Sequence, residues 1–238
     1  MTTEIHKSES RGHANHGWLN ARHSFSFARY YNPERMNFGA LRVLNDDIIK
    51  PAAGFGRHPH DNMEIITIPV KGGVLHRDSM GHEEVIAENE VQVMSAGTGI
   101  FHEEWNASNE APVNLLQLWI MPEKKNIKPQ YKQSKFSEEE ASNVWQYLVN
   151  NKNEKGELNI NAKAHISRTF LSEGKTLKYE LSEGSFGAYL FIVEGKAEID
   201  GFAIENRDAI GITNTKSFNV KALTDIYLIN VEVPELSA

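Results

Sequence analysis

Short apolar stretches rich in β-branched residues alternate with polar turn residues over most of the chain. In the first half these stretches cover residues 41–44, 64–70, 91–94 and 115–121. Clusters of Asn, Asp, Glu, Lys and Gly predict turns at residues 45–47, 71–73 and 88–90. Many short strands with regular turns are typical of all-β sandwiches and barrels. The pattern therefore predicts an all-β fold, preceded by irregular or edge structure up to Trp18.

The middle of the chain has a different character. Residues 122–135 are polar, with two prolines and several lysines, and are predicted to be a linker. Residues 137–140 (SEEE) fit a capping box with Ser137 as the N-cap, so a short helical turn is predicted to start there. Residues 144–149 fit either a continued helix or a strand, because so few residues do not define a period. Residues 150–156 predict a polar turn.

A second strand-rich block echoes the first. Residues 189–195 (YLFIVEG) resemble residues 65–72 (IITIPVKG). Residues 205–208 stand where residues 87–90 stand in the first block. This internal repeat predicts two similar β-barrels in one chain.

The two barrels are expected to form an N-terminal domain over residues 1–130 and a C-terminal domain over residues 131–238. Of the ten histidines, only His165 lies after His102. A metal site built from histidines is therefore expected in the first domain alone.

Composition and charge exclude several classes of protein. The formal net charge is −7, from 25 Lys and Arg against 32 Asp and Glu, and no basic block is present. Direct binding to nucleic acid is therefore not expected. The absence of Cys excludes a disulfide framework and a thiolate metal site. Residues 1–20 do not resemble a signal peptide, and no apolar run approaches the ~20 residues of a membrane helix. We expect a cytoplasmic protein without a membrane segment.

The candidate chemistry lies in two glycine-rich motifs, residues 54–60 (GFGRHPH) and 97–104 (GTGIFHEE). Two histidines at a spacing of two, such as His58 and His60, project from the same face of a strand. They lie about 6.6 Å apart along it and can both reach one metal ion at about 2.0–2.1 Å. His102 and Glu104 repeat this spacing. On neighbouring strands the two pairs would give a set of three imidazoles and one carboxylate.

These motifs resemble the cupin superfamily, whose first motif is roughly G-x5-HxH-x3,4-E-x6-G. Residues 54–64 fit it with a slightly short opening spacer. The chain more narrowly resembles pirin, and in particular the bacterial pirin-like quercetin 2,3-dioxygenases. The segments that carry this resemblance are 58–64, HRDS at 76–79, MSAGTGIFHEE at 94–104, RGHANHGW at 11–18 and QLWIMP at 117–122. One departure is the turn at 88–90, which is ENE where cupins usually have Pro-Gly-Asp.

The resemblance implies a double-cupin fold, two β-barrels of jelly-roll type. It implies one divalent transition metal in the N-terminal barrel, with ligands that fall on His58, His60, His102 and Glu104. Fe(II) is favoured because oxygen chemistry needs a redox-capable centre, and Ni, Co, Mn, Cu and Zn are the alternatives. Glu64, the carboxylate of the general cupin motif, competes with Glu104 as fourth ligand. About 13 Å of extended strand separates Glu64 from His60, so Glu64 is placed near the ligands rather than among them.

Other residues near the motifs have two readings each. His76 is either a hydrogen-bonded structural residue or a neighbour of the metal ligands. The apolar side chains of Phe55, Met94, Phe101 and Trp119 either pack in the core or line a pocket for a flat aromatic substrate.

The same resemblance implies an oxidoreductase, a quercetin 2,3-dioxygenase. Such an enzyme opens the heterocycle of flavonols such as quercetin with O2 and releases carbon monoxide. The partners would be a small aromatic, flavonol-like substrate and O2, and Glu104 would be the catalytic base for the 3-hydroxyl proton. The alternative is a metal-dependent, redox-sensitive regulatory protein of the pirin type, which would dock on a protein partner.

Overall fold

The computed structural model describes residues 1–150 and 158–236. The first twelve strands are β1 Thr2–His6, β2 Gly12–Asn15, β3 Leu19–His23, β4 Leu41–Ile49, β5 Gly54–His60, β6 Glu64–Lys71, β7 Val74–Asp78, β8 Glu83–Ile86, β9 Glu90–Ser95, β10 Ile100–Asn106, β11 Val113–Ile120 and β12 Gln130–Lys135. The next ten are β13 Gln146–Asn150, β14 Leu158–Asn159, β15 His165–Leu171, β16 Thr176–Glu180, β17 Ser185–Glu194, β18 Ala197–Ile199, β19 Phe202–Ile204, β20 Ala209–Thr213, β21 Ser217–Ala222 and β22 Ile226–Pro234. Two single 3₁₀ turns occur at Ser8–Ser10 and Glu139–Ala141. The all-β prediction is confirmed, and within the two described ranges no helix has the length and apolar character to cross a membrane.

Each half of the chain forms a long sheet and a short sheet. In the first half the strand orders are β12-β9-β6-β11-β4-β3-β2 and β5-β10-β7-β8. In the second half they are β1-β20-β17-β22-β15-β13-β14 and β16-β21-β18-β19. The orders match except at the outermost strand, since β14 follows β13 and is parallel to it, whereas β2 precedes β3 and is antiparallel to it. The turns before β9 and β20 both contain a residue with φ of 64°, Asn89 and Arg207. The predicted repeat and the two-barrel architecture are therefore confirmed.

The two halves exchange their edge strands. β1 pairs with β20 of the second barrel, with Glu4 opposite Gly211. β12 pairs with β9 of the first barrel, with Lys132 opposite Val93. The expected division at residue 130 therefore differs from the strand pairing, because residues 2–6 complete the second sheet and residues 130–135 complete the first. Turn signals locate strand ends but carry no information about which sheet an edge strand joins.

Four local predictions are corrected or resolved. Residues 45–47 continue β4 and form no turn, and residues 130–135 form a strand where a linker was expected. The turn near residue 137 is a 3₁₀ turn whose N-cap is Glu138, with no capping hydrogen bond from that side chain, so the capping box is wrong. For residues 144–149, where either a helix or a strand was expected, the structure has a strand at residues 146–150. The polar turn predicted over 150–156 lies almost entirely outside the described residues.

One continuous cluster of buried apolar side chains joins the two long sheets. It contains Leu44, Ile66 and Leu118 from the first barrel together with Phe191 and Val231 from the second. Burial of each such side chain stabilises the fold by roughly 1.5–3 kcal/mol. The two barrels are thereby held as one packed unit, and the interior of the first barrel is left free to hold polar residues.

Candidate metal centre and the cavity beside it

Three of the four predicted ligands converge on one point. β5 and β10 are antiparallel neighbours, and their register places His58 opposite His102 and His60 opposite Ile100. Nitrogen atoms of His58, His60 and His102 all lie within 4.8 Å of one another. The ring centroids are 4.4 Å apart for His58 and His102 and 4.8 Å apart for His60 and His102. The spacing of two in each motif thus delivers three imidazoles to a single site.

The contacts of these rings leave nitrogen atoms free for a metal ion. Nδ1 of His58 lies 2.8 Å from the carbonyl oxygen of Gly56 and donates to it, which leaves Nε2 as the atom with a lone pair. Nε2 of His102 is buried and has no hydrogen-bond partner. A buried polar atom without a partner is rare in folded proteins, and a metal ion would supply the partner it lacks.

Burial keeps two of the imidazoles neutral. Desolvation lowers the pKa of His60 to about 4, and the neighbouring imidazoles add to the effect. Desolvation likewise lowers the pKa of His102 to about 3, with His58 and His76 adding. Neutral imidazole is the form that ligates metals, so the site is prepared for a cation at neutral pH.

The fourth predicted ligand, Glu104, stands beside the trio. A register shift between His102 and Glu104 marks a β-bulge in β10. A carboxylate oxygen of Glu104 lies within 4.8 Å of ligand atoms of His102 and His76, which makes a second candidate group. Its Oε1 accepts from the hydroxyl of Thr67 at 3.2 Å, and its Oε2 accepts from Nε2 of Gln117 at 2.7 Å. Glu104 is therefore fixed at the edge of the site, and its place as fourth ligand stays a prediction.

The competing carboxylate, Glu64, makes contacts of another kind. Its Oε2 accepts from the hydroxyl of Ser95 at 2.6 Å and from the backbone N–H of Asn161 at 3.1 Å. These bonds join β6 to β9 and to the second half of the chain. The contacts of Glu64 thus identify it as a buried structural residue.

His76 connects the site to a second carboxylate. Its Nδ1 faces Nδ1 of His102 at 3.5 Å, and its Nε2 lies 3.2 Å from Oδ2 of Asp78. The Asp78 side chain is buried and also accepts from Nδ1 of His82 at 2.9 Å. Such carboxylate–histidine contacts orient a ligand ring and fix its tautomer. Both readings of His76 therefore apply, because it is hydrogen-bonded and it touches a candidate ligand.

A cavity of about 390 Å³ opens beside the candidate ligands. Its lining consists of aromatic walls and a few polar groups: Trp18, Phe27, Asn45, Asp47, Gly54, Phe55, Gly56, His58, His60, Glu104, Gln117 and Trp119. Phe55 and Trp119 thus take the pocket-lining role, whereas Met94 packs in the core. Phe101 lies outside both the core and this cavity: it is 47% exposed, lies against Arg57 and borders a smaller, polar pocket of about 180 Å³ beside His102.

Sequence reasoning gave no pocket role to five lining residues. Trp18 ends the segment expected to be irregular, Phe27 lies beyond it, Gln117 lies in an apolar strand, and Asn45 and Asp47 lie in a predicted turn. The available signal for Asp47 and Gln117 was a polar residue at an inward position of an apolar strand.

The second barrel fills the same space with apolar side chains. Tyr179 pairs with Phe218 on β16 and β21 as His58 pairs with His102 on β5 and β10. Tyr179, Phe218 and Val220 belong to one buried apolar cluster, against which Leu181 packs. The contrast explains why the second barrel needs no polar cavity.

Comparison with known proteins agrees with this architecture. Residues 4–120 match the family model for pirin, and residues 147–233 match the model for the quercetinase C-terminal cupin domain. The chain is 37% identical over 230 residues to the quercetin 2,3-dioxygenase of Escherichia coli strain K12, covering 97% of this chain and 98% of that protein. It is 38% identical over 222 residues to the pirin-like protein of Caulobacter vibrioides, covering 93% and 95%.

A solved structure of a bacterial pirin has the same fold as this chain. The bacterial pirin YhhW from Escherichia coli in complex with nickel(II) matches with a TM-score of 0.93 at 36% identity, covering 99% of this chain and 100% of that chain. The β-barrels of the chain have the cupin fold, and the chain contains two of them. The chain belongs to the pirin family.

Proposed function

We propose that this protein is a metal-dependent dioxygenase that opens the heterocycle of flavonols such as quercetin with O2 and releases carbon monoxide. The observation that carries the proposal is the convergence of His58, His60 and His102 beside an aromatic-walled cavity. The relative from Escherichia coli named quercetin 2,3-dioxygenase supports the reaction class.

The donor set fits one divalent transition metal in the first barrel, held by His58, His60, His102 and Glu104. The unpartnered Nε2 of His102 is the structural reason for expecting an ion there. The nickel(II) complex of the related bacterial pirin supports a divalent ion, and Fe(II) stays our favoured candidate. When bound, the ion would act as a Lewis acid toward the flavonol 3-hydroxyl and would supply a redox-capable centre.

Glu104 would take up the proton of the 3-hydroxyl. Hydrogen bonds from Thr67 and Gln117 hold its carboxylate on the cavity wall, so its remaining lone pairs have a fixed direction. A base held in this way contributes to catalysis because the geometry of proton transfer is set in advance.

The aromatic walls would hold the flat ring system. Trp18 and Phe55 meet edge to face with ring centroids 5.1 Å apart, and Phe27 and Trp119 do so at 5.2 Å. Aromatic side chains offer large rigid surfaces that bury planar ligands and exclude water. The substrate would lie between these pairs, with its 3-hydroxyl toward Glu104.

The test is an aerobic assay of metal-replete protein with quercetin. The visible absorption of quercetin should decay, carbon monoxide should appear in equal amount, and both signals should stop under nitrogen or after chelation. The matched control is His165→Ala, which removes a histidine of the second barrel and should keep the activity. Metal-replete protein that leaves quercetin untouched in air would contradict the proposal.

The second candidate is a metal-dependent, redox-sensitive regulatory protein of the pirin type. The observation that favours it is the exposed ring of Phe101, which lies beside His102 on β10 and could report the state of the site to a protein partner. A partner that binds the metal-loaded protein and loses affinity for Phe101→Ser would support this candidate. Direct binding to nucleic acid is not proposed, and a cytoplasmic location stays a prediction.

A further inference from the structure

Two adjacent aspartates of β4 have opposite surroundings. Successive side chains of a strand point to opposite faces of its sheet. Asp46 meets cations, since its Oδ1 accepts from Nη1 of Arg207 at 2.9 Å and its Oδ2 lies 3.5 Å from Nη2 of Arg11. Asp47 points into the barrel and lines the cavity beside the candidate ligands.

The Asp47 carboxyl is buried without a full set of partners. The residue is only 4% exposed, and its Oδ1 has no hydrogen-bond partner. The structure shows no ion pair of Asp47 with any described residue. A buried polar group in this condition destabilises a fold, which makes the Asp47 carboxyl a feature that packing alone does not explain.

No described side chain hydrogen-bonds to Oδ1 of Asp47, so a ligand in the cavity would supply its partner. The two amide side chains of the lining have other contacts: Oδ1 of Asn45 is paired with Nδ1 of His23 at 2.9 Å, and Gln117 bonds to Glu104 and Trp119. An aromatic ligand between the walls would therefore lie next to the Asp47 carboxyl on β4, which lacks a hydrogen-bond partner at Oδ1.

We propose that Asp47 is a positioning residue that hydrogen-bonds to a hydroxyl group of the aromatic ligand, away from the hydroxyl that faces Glu104. This inference rests on the proposed function for the class of ligand. It makes the cavity selective for polyhydroxylated rings, because an analogue without that hydroxyl would leave the buried carboxyl unpaired.

The electrostatics of the cavity agree with this role. Burial raises the pKa of Asp47 well above its ordinary value, and the nearby carboxylates of Asp46 and Glu104 add to the effect. A neutral carboxyl both donates and accepts a hydrogen bond, and an ionised carboxyl accepts one. Either form therefore binds a hydroxyl group.

The test measures binding without turnover. Metal-replete protein is titrated under nitrogen with quercetin and with 3-hydroxyflavone, which keeps the 3-hydroxyl and lacks the others. Trp18 and Trp119 line the cavity, so quenching of tryptophan fluorescence reports occupancy. The variants are Asp47→Leu, which removes hydrogen bonding and keeps the branched shape of the side chain, and Asp47→Asn, which keeps hydrogen bonding.

Asp47→Leu should weaken quercetin binding by roughly 10- to 100-fold and change 3-hydroxyflavone binding far less, while Asp47→Asn keeps most of the affinity. Because an unpaired buried carboxyl is removed, the melting temperature of Asp47→Leu should rise, by roughly 2–4 °C. The control Glu232→Gln alters a buried carboxylate that accepts from the hydroxyl of Tyr179 at 2.7 Å, and it should lower the melting temperature without changing affinity.

Two results would overturn the inference: quercetin affinity unchanged in Asp47→Leu, or equal losses for both ligands together with a lower melting temperature. Failure of the proposed function gives a different result. In that case the wild type binds quercetin under nitrogen and does not consume it in air, while the effect of Asp47→Leu on affinity persists.

Discussion

Gln117 on β11 donates a hydrogen bond of 2.7 Å to Oε2 of Glu104 on β10. The bond crosses from the long sheet of the first barrel to its short sheet. It holds the carboxylate that we assign as base between a glutamine on one side and the hydroxyl of Thr67 on the other. The orientation of Glu104 thus depends on the packing of both sheets.

Gln117→Leu is expected to lower kcat for quercetin by roughly 10-fold with little loss of metal, because Glu104 loses its shorter hydrogen bond. The measurement is steady-state turnover together with elemental analysis. The control is Gln133→Leu on β12, which removes a glutamine outside the cavity lining and should leave kcat unchanged. Equal turnover in Gln117→Leu and wild type would show that this bond does not orient the base.

Glu104→Gln and Glu64→Gln separate the two candidate carboxylates. Glu104→Gln should keep the fold and part of the metal and lose activity by roughly 10- to 100-fold. Glu64→Gln should keep activity and lose about 1–3 kcal/mol of stability, because it perturbs the buried bonds from Ser95 and Asn161. The reverse pattern, with metal lost only in Glu64→Gln, would make Glu64 the fourth ligand.

His76→Leu is expected to weaken metal affinity by roughly 10- to 100-fold, because it removes the residue between His102 and the buried Asp78. Competition with a chelator of known affinity measures the effect. His82→Ala is the control, since His82 also bonds to Asp78 but lies on its outer side. Equal losses in both variants would indicate that Asp78, rather than His76, determines affinity.

The exchanged strand β1 should make stability sensitive to mild acid. His6 is buried, and its Nδ1 lies 2.8 Å from the hydroxyl of Tyr189. Burial is the largest cause that lowers the pKa of His6; Arg35 and Arg11 also lower it, and Glu4 opposes them. A lowered pKa means that the unfolded chain binds a proton that the folded chain does not. The contribution of His6 to the free energy of unfolding should therefore fall as pH falls below about 6.5, by no more than about 1.4 kcal/mol per pH unit.

Urea unfolding at pH 7.5 and at pH 5.5 measures this dependence. His6→Phe should make it less steep by the share of His6, whereas the exposed His13→Gln should leave it unchanged. A slope that is the same in wild type and His6→Phe would assign the acid sensitivity to other groups.

The sequence predicted the parts of this molecule that follow local rules. His58 and His60 share one face of a strand because they are two residues apart. The pairing of β5 with β10 then brings His102 opposite His58. The turn predicted at Asn45-Asp46-Asp47 was wrong because a run of buried polar residues in a strand has the same composition as a turn. Asp46 is polar because it pairs with Arg207, and Asp47 is polar at a position that faces the cavity. The exchange of β1 depends on long-range packing, which no local pattern encodes.

The metal content of purified protein tests the central claim most directly. Elemental analysis of untagged protein should find one divalent metal per chain in the wild type. It should find essentially none in the double variant His58→Ala, His60→Ala, whose fold should persist because the large cluster joining the two barrels is untouched. Two tightly bound metals per chain, or one metal retained by the double variant, would contradict a single site built on the histidines of the first barrel.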